Sequence, residues 1–392
     1  MLGARVVTGL RDAWLILGLS LALFLALEGL YRGERAIRTT LRGSSAAAPL
    51  PPGHPYTGLA WYSDFARSYE ASRVPIWTRG RYDPYRGWWA RPYASKYINI
   101  DSAGRRVTVQ VGTPVAGRLR LFLLGGSTMW GIARDSSTIP SLVAAELQAR
   151  GVRNVEVVNL AQMAYVSTQE TITLLLELRR GNIPAAAVFL DGYNDIATVF
   201  RAGEPPGSIM NEALFAQPFD FARSGVWTGL LMLGERSLLV TRLATLVRSR
   251  SNLDRWRMHP AQDSLCRNVA EQYAHVVRSV DAWGRAFGFR PLFLWQPMLA
   301  TTHKPLTVWE RSIAAPSGYR ETLRRCTGLA DSLMADRVGQ TYFPLHSLFD
   351  DHPESVYLDD WGHVTEAGNR VIALRIVDIL APVLGWPRRR VH

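Results

Sequence analysis

Four short polar stretches carry residues that could perform acyl transfer. They are residues 125–128 (GGST), 159–164 (NLAQMA), 191–195 (DGYND) and 360–363 (DWGH). Each string is short enough to arise by chance, so none of them carries an assignment alone. Together they supply a nucleophile, a base, a carboxylate and an amide donor, which is the set of groups that an acyl-transfer site needs.

The residue types suggest a role for each member of a catalytic triad. Ser127 is the candidate nucleophile, because a hydroxyl becomes reactive when an imidazole takes its proton. His363 is the candidate base. Asp360, three residues earlier, is predicted to hold the other ring nitrogen and so fix the tautomer.

The negative charge of a tetrahedral intermediate needs hydrogen-bond donors that are already in place. The candidates are the backbone N–H groups of Ser127 and Ala164 and the side-chain amide of Asn194. Asp195, next to that amide, is predicted to brace the loop and not to react.

Short apolar runs alternate with helical periods from residue 119 onward, which predicts βαβ units and a mainly parallel sheet covered on both faces. Ser167 and Glu170 fit a capping box for the second helix. Because parallel strands place their carboxyl ends at one edge, the polar stretches should meet there. The predicted strands are 119–124, 155–160, 186–190, 291–295 and 341–345, and the predicted helices are 140–150, 168–180, 265–287, 319–338 and 366–380.

The four stretches, in this order, resemble the conserved blocks of the SGNH (GDSL-like) hydrolase superfamily. LDDWGHVTEAGNRVIA is similar to the fourth block of that family and DGYND to its third, and the resemblance covers residues 119–382. It implies a flavodoxin-like three-layer α/β/α sandwich. It also implies a serine esterase or acyltransferase that uses no metal and no organic cofactor.

Two departures from the family pattern bear on the site. The first block has GGST where GDSL is usual, a variant found in many bacterial members. In the second block, alanines stand at both positions where glycine is expected, Ala161 and Ala164. If the backbone there requires a positive φ, Ala164 is strained and its N–H could be misaimed.

The N-terminal region predicts a membrane anchor. Residues 13–27 are apolar and uncharged, and no small-residue cleavage site follows closely, so we expect an uncleaved single-pass helix. The predicted organisation is an anchor (1–38), a linker (39–58), an aromatic-rich lobe (59–117) and a hydrolase-like domain (118–392) with an insertion at about 196–260.

The lobe and the insertion each leave alternatives open. The lobe could be a sugar-stacking surface or could pack its aromatic side chains against the main domain, and we favour packing. The insertion could be a lid, a helix on a membrane surface or a helical excursion packed on the core, and we slightly favour the last. The aromatic residues of the lobe include Trp61, Tyr62, Trp77, Trp88 and Trp89.

The composition argues against several classes of protein. The net charge is +12, but the arginines are scattered singly apart from residues 388–390, and no nucleic-acid-binding module accompanies them. With two cysteines, the chain has neither a zinc site nor a dense disulfide framework. Cys266 and Cys326 could pair outside the cytoplasm or remain two buried thiols.

The leading hypothesis is a membrane-anchored serine esterase that cleaves an acyl ester, with an O-acetylated cell-envelope or exported saccharide as the expected substrate. The first alternative is an O-acyltransferase that passes the acyl group from Ser127 to a glycan hydroxyl. The second is a catalytically silent anchored binding protein. The arginines after the apolar run favour a cytoplasmic domain, whereas the analogy with glycan-modifying proteins favours an extracytoplasmic one, which we expect.

Overall fold

The computed structural model describes residues 2–41, 50–72, 80–110, 117–203, 205–210, 212, 237–239, 262–314 and 317–387. The chain divides into two compact units. One comprises Met1–Ala46 and Ala213–Asp254, and the other comprises Ala47–Glu212 and Arg255–His392. The second unit contains all four polar stretches.

The elements follow the alternation that the sequence predicts. The strands are β1 (Arg81–Asp83), β2 (Gly87–Trp89), β3 (Leu119–Gly125), β4 (Val155–Asn159), β5 (Ala186–Asp191), β6 (Arg290–Trp295) and β7 (Tyr342–Pro344). The helices are α1 (Leu2–Leu41), α2 (Tyr62–Ser72), α3 (Ser127–Trp130), α4 (Ile139–Ala149), α5 (Ser167–Arg179), α6 (Tyr193–Ala197), α7 (Gln262–Phe287), α8 (Val308–Ile313), α9 (Ser317–Leu333) and α10 (Glu366–Leu384).

Strands β3 to β7 form one parallel sheet in the order β4-β3-β5-β6-β7. Counted from β3, this is the order 2-1-3-4-5 of flavodoxin-like folds. The predicted fold class is therefore confirmed. The strand order changes direction at β3, because β4 lies on one side of it and β5 lies on the other. The carboxyl ends of β3 and β5 therefore border the crevice where such folds hold their sites.

Alternating side chains of β3 build two cores. Phe122 and Leu124 face a cluster completed by α5, α7 and α9, whereas Leu121 and Leu123 face a cluster completed by α4 and α10. This alternation is the period of two expected for a strand, and apolar residues on both sides follow because both faces are covered. Helices on each side of the sheet give the three layers.

Two local predictions are wrong. Helix α9 ends at Leu333, and a 3₁₀ turn, Ala335–Arg337, follows it. The capping box of Ser167 and Glu170 does not form, because α5 already begins at Ser167 and the Gln169 side chain accepts from Val166 N–H. The Ser167 hydroxyl instead donates to Asp195 Oδ1 at 2.6 Å.

The aromatic lobe packs against the loop that follows β4. Trp88 Nε1 donates to the Met163 carbonyl at 3.1 Å, and Ala90 N–H donates to Gln162 Oε1 at 3.1 Å. Gln162 Nε2 in turn donates to the Gly104 carbonyl at 2.9 Å. The packing alternative is therefore the one observed for the described part of the lobe, while Trp77 lies outside the described residues.

Helix α1 contains a segment, Trp14–Glu34, with the length and mean hydropathy (1.9) of a membrane span. A signal sequence near an N-terminus has the same properties. Glu28, within this segment, accepts hydrogen bonds from Ser237 Oγ and from the N–H groups of Leu238 and Leu239. These three residues belong to the predicted insertion, most of which lies outside the described residues. These three residues of the insertion thus contact α1, whereas Ile196, Val199 and Phe200 at its start pack in the core of the second unit.

The two cysteines are bonded to each other. The Cys266–Cys326 disulfide joins α7 to α9, which pack side by side on one face of the sheet. Of the two states that the sequence allowed, the structure contains the disulfide.

Candidate active site

The nucleophile lies on the tight turn between β3 and α3. Ser127 is the first residue of α3, directly after Gly126. A Cβ atom on Gly126 would lie 2.2 Å from Asn194 Nδ2, and one on Gly125 would lie 2.6 Å from the Met129 Cβ. Neither position has room for a side chain, so both residues must be glycine. At Gly126 the side chain would clash with the Asn194 amide, which should face the substrate.

Ser127 and His363 are brought together across 236 residues of sequence. Ser127 Oγ lies 2.6 Å from His363 Nε2, as a serine and its general base require. The Thr128 hydroxyl donates to the Gly362 carbonyl at 3.3 Å, which ties the same two loops together a second time. The predicted pairing of serine and histidine is present in the geometry.

The carboxylate beside His363 is Asp359, and the prediction of Asp360 is wrong. Asp359 Oδ2 lies 2.5 Å from His363 Nδ1. Asp359 Oδ1 accepts from the N–H groups of Trp361 and His363, at 2.9 and 3.2 Å. The chain closes a turn around one carboxylate, with Gly362 at φ 87°, and in this turn the residue four positions before the histidine faces the ring.

The loop after β4 is held against the nucleophile turn. Gln162 N–H donates to the Gly125 carbonyl at 3.1 Å, and Asn194 Nδ2 donates to the Tyr165 carbonyl at 2.7 Å. Ala164 therefore lies in a loop that contacts both the first and the third polar stretch. The structure assembles all three stretches that were expected to supply the oxyanion donors.

Ala164 has a φ of 60°, and within the described ranges it is the sole non-glycine residue with a positive φ. The left-handed region costs a residue with a Cβ atom about 1–2 kcal/mol. The sequence identified this position as the one where the family pattern has glycine. The structure confirms that the backbone keeps the glycine conformation although the residue is alanine.

Ala164→Gly is expected to raise the free energy of unfolding by about 0.5–1 kcal/mol. Relief of strain outweighs the greater freedom of glycine in the unfolded chain, which offsets about 0.4–1 kcal/mol. The matched control is Ala161→Gly, because Ala161 is fully buried and lacks a positive φ. We expect this control to lose about 1 kcal/mol. Thermal unfolding of both variants measures the difference, and destabilisation of Ala164→Gly would contradict the strain.

Three carboxyl groups lie near Asn194 in the fold or the chain; Glu170 and Asp191 are buried, and Asp195 is half-buried. Asp195, predicted to brace its own loop, accepts through Oδ1 from the Ser167 N–H and hydroxyl and so ties that loop to the start of α5. Glu170 and Asp191 lie beside each other in the interior, and burial raises the pKa of both, that of Asp191 to about 7. Burial also raises the pKa of Asp195. Asp191 and Asp195 belong to the same polar stretch as Asn194.

A buried ion pair supports the histidine loop, and nothing in the sequence pointed to it. Lys304 Nζ lies 2.5 Å from Glu310 Oε2, and both side chains are fully buried. Glu310 Oε1 accepts from the N–H groups of Val356 and Tyr357, at 3.0 and 3.3 Å. Burial would raise the pKa of Glu310, but the hydrogen bonds from Lys304 and from the backbone outweigh it and lower this pKa. The ion pair and these two backbone hydrogen bonds hold the segment that leads into Asp359.

Glu310→Gln is expected to lower the free energy of unfolding by about 3 kcal/mol, because it leaves the Lys304 ammonium buried without a countercharge. Denaturant titration measures this loss. The control is Asp64→Asn, which removes an exposed ion pair with Arg67 and should change stability by less than about 0.5 kcal/mol. Equal effects of the two substitutions would show that the buried pair does not support the loop.

Within the described part of the chain, no group of three or more His, Cys, Asp or Glu residues has the arrangement of a metal site. The groups assembled around Ser127 instead form a hydroxyl–imidazole–carboxylate relay with amide donors beside it. Such a relay can activate a nucleophile and stabilise an oxyanion using protein groups alone.

Solved structures similar to this chain include three proteins with 97–100% of their own length covered. An acetyl xylan esterase, AlAXEase, is 11% identical over 68% of this chain, with a TM-score of 0.39. An acetylxylan esterase from Geobacillus stearothermophilus is 11% identical over 71%, with a TM-score of 0.39. The protein TesA is 15% identical over 68%, with a TM-score of 0.35. No family model and no curated protein sequence matches the chain.

Proposed function

We propose that this chain is a serine esterase that cleaves an acyl ester through an acyl-enzyme on Ser127. The observation that carries the proposal is the relay from Ser127 Oγ to His363 Nε2 at 2.6 Å and from His363 Nδ1 to Asp359 Oδ2 at 2.5 Å. A histidine without a catalytic role is not expected to contact a serine hydroxyl through one ring nitrogen and a carboxylate through the other.

In the proposed reaction, Ser127 Oγ attacks the ester carbonyl while His363 Nε2 takes the hydroxyl proton. Asp359 keeps the remaining N–H on Nδ1 and stabilises the imidazolium that forms. The intermediate's oxyanion is held by the N–H groups of Ser127 and Ala164 and by the Asn194 amide. The C–O bond then breaks, and the alcohol leaves with the proton from His363. Water, activated by the same histidine, releases the acid and restores Ser127.

The transferase alternative differs in the second half of the reaction alone. A glycan hydroxyl would replace water as the acceptor, and His363 would take its proton in the same way. The acyl group is proposed to be acetyl and the alcohol a saccharide. The acetyl xylan esterases among the similar solved structures suggest this substrate. The arrangement of Ser127, His363 and Asp359 is equally suited to other esters.

We further propose that α1 anchors the protein and that the catalytic unit lies outside the cytoplasm. The Cys266–Cys326 disulfide supports this compartment, because disulfides persist where thiols are not kept reduced. A C-terminal alkaline phosphatase fusion should be active in cells. An inactive phosphatase fusion together with a fluorescent cytoplasmic reporter at the same terminus would contradict export.

The proposal is tested by incubating the full-length protein in detergent with a fluorophosphonate probe and with 4-nitrophenyl acetate. Wild type should be labelled and should release nitrophenol, while Ser127→Ala should do neither. Ser332→Ala, which changes an exposed serine on α9, is the matched control and should behave as wild type. Hydrolysis should also be lost in His363→Ala.

Each other outcome has a definite meaning. Absence of labelling in wild type would leave the silent binding protein as the remaining hypothesis. Labelling that persists in Ser127→Ala would refute the choice of nucleophile. Slow hydrolysis together with acetyl appearing on an added oligosaccharide would establish the transferase.

A further inference from the structure

The Trp88 indole binds the peptide unit that carries one of the proposed oxyanion donors. Trp88, on β2 in the aromatic lobe, is 2% exposed, and its Nε1 donates to the Met163 carbonyl at 3.1 Å. The Met163 carbonyl and the Ala164 N–H belong to one peptide unit, which is planar and trans. In a trans unit the C–O and N–H bonds point in opposite directions. A hydrogen bond to this carbonyl therefore also fixes the direction of the Ala164 N–H.

The turn around this peptide unit has a conformation that is disfavoured for alanine. Tyr165 N–H donates to the Gln162 carbonyl at 3.4 Å, which closes a β-turn with Met163 and Ala164 at its centre. Ala164 has a φ of 60° and Met163 does not have a positive φ, as in a type II turn, whose third residue is normally glycine. A type I turn has a negative φ at this residue and a central peptide rotated by about 160°. Relaxation to type I would thus turn the Ala164 N–H to the opposite side.

The lobe binds this turn on both sides of its central peptide. The Tyr165 hydroxyl donates to the Trp88 carbonyl, and the two rings meet edge to face with their centroids 5.5 Å apart. On the other side, the Gln162 side chain accepts from Ala90 N–H and donates to the Gly104 carbonyl. A strained backbone conformation persists where the surrounding structure fixes it. Here the contacts that fix it come from the aromatic lobe.

We propose that Trp88 is a positioning residue for the esterase reaction. Through the Met163 carbonyl, its indole holds the Ala164 N–H toward the oxyanion that forms at Ser127. This role rests on the proposed esterase function, and it makes the aromatic lobe, which lies outside the segment that resembles the hydrolase family, a support of the oxyanion site. Because hydrogen bonds in a chain polarise one another, the indole also makes the Ala164 N–H a stronger donor.

The test compares kcat and kcat/KM of full-length variants in detergent, with 4-nitrophenyl acetate as the substrate. Trp88→Phe keeps an aromatic ring and removes the indole N–H. Both values should fall together by about 10-fold, because the oxyanion is absent from the ground state. This loss is smaller than the roughly 100-fold or more that removal of an oxyanion donor costs, since Gln162 and Tyr165 still bind the lobe.

The matched control is Trp89→Phe, the same chemical change at the next residue of β2. The Trp89 indole N–H donates to the Ala103 carbonyl, within the lobe, so both kinetic values should stay within about 2-fold of wild type. Tyr165→Phe is the second variant, because it removes the other contact with Trp88 and tests the same role if Trp88→Phe fails to fold. We expect about a 5-fold fall in kcat for Tyr165→Phe.

Ala164→Gly separates positioning from a general loss of packing. Glycine adopts a positive φ without a steric penalty, so the turn no longer depends on the lobe to keep its conformation. Ala164→Gly alone should keep kcat within about 2-fold of wild type. In this background, adding Trp88→Phe should lower kcat by less than about 3-fold. A loss caused by damaged packing would be the same in both backgrounds.

The outcomes separate the role of Trp88 from the chemistry itself. Equal losses of kcat in Trp88→Phe and Trp89→Phe would refute the positioning role, as would a 10-fold loss that persists in the Ala164→Gly background. In both cases wild type still cleaves the ester, so the esterase function stands. If wild type cleaves no ester and is not labelled by fluorophosphonate, the esterase function has failed and the role of Trp88 fails with it.

Discussion

Asp359→Asn is expected to lower kcat for 4-nitrophenyl acetate by about four orders of magnitude, with a KM close to that of wild type. The amide can donate to His363 Nδ1 and would then favour the tautomer with its proton on Nε2, which cannot accept from Ser127. It also loses the charge that stabilises the imidazolium. Because the loss falls on a step after binding, it should appear in kcat.

The control for this prediction is the neighbouring carboxylate. Asp360→Asn makes the same chemical change one residue away, and the ring nitrogen is contacted by Asp359. We expect Asp360→Asn to retain kcat within about 10-fold. Steady-state kinetics of the two variants, with unfolding temperatures to check folding, measures the difference. A larger loss for Asp360→Asn than for Asp359→Asn would restore the original sequence-based assignment.

The confusion between the two aspartates shows where sequence patterns stop being informative. The string LDDWGH contains both residues, and the family pattern of Asp-x-x-His selects the second. Which carboxylate faces the ring depends on the path of the turn, set by Gly362 and by the N–H groups that bind Asp359. Those backbone angles are not encoded in residue spacing.

The sheet, in contrast, was predictable to within two residues at each strand end. Buried parallel strands must be apolar on both faces, so each one stands out as a continuous run in the sequence. The polar residues that follow β3 and β5 could then be placed at the same edge. The predicted topology alone therefore places Ser127 and Asn194 near each other.

Long-range support for the site could not be predicted in this way. Lys304 and Glu310 look like ordinary polar residues in a loop and a short helix, and their burial depends on the chain around residues 356–357. Glu170 looks like a helix-capping residue, yet its side chain lies against Asp191. Each pairing results from tertiary packing, which a single sequence does not reveal.

The Glu170–Asp191 pair predicts that stability falls as pH rises. Burial raises the pKa of Asp191 from its ordinary value of 3.8 to about 7, and the charges and hydroxyls that act on the pair belong to Asp195 and Tyr273, neither of which is a cation. Between about pH 4 and pH 7 the folded chain keeps a proton that the unfolded chain has released. The free energy of unfolding therefore decreases across this window, and Glu170, whose pKa is also raised by burial, adds to the decrease and extends it.

The decrease expected from Asp191 alone is about 4 kcal/mol, at about 1.4 kcal/mol for each pH unit. Asp191→Asn removes one of the two buried titrating groups and should make the profile shallower, so that its stability relative to wild type rises by up to about 4 kcal/mol between pH 4 and pH 8. Denaturant titrations at several pH values measure this, and Asp351→Asn, an exposed site, should keep the wild-type slope. Parallel profiles for Asp191→Asn and wild type would mean that Asp191 releases its proton at the same pH in the folded and the unfolded chain.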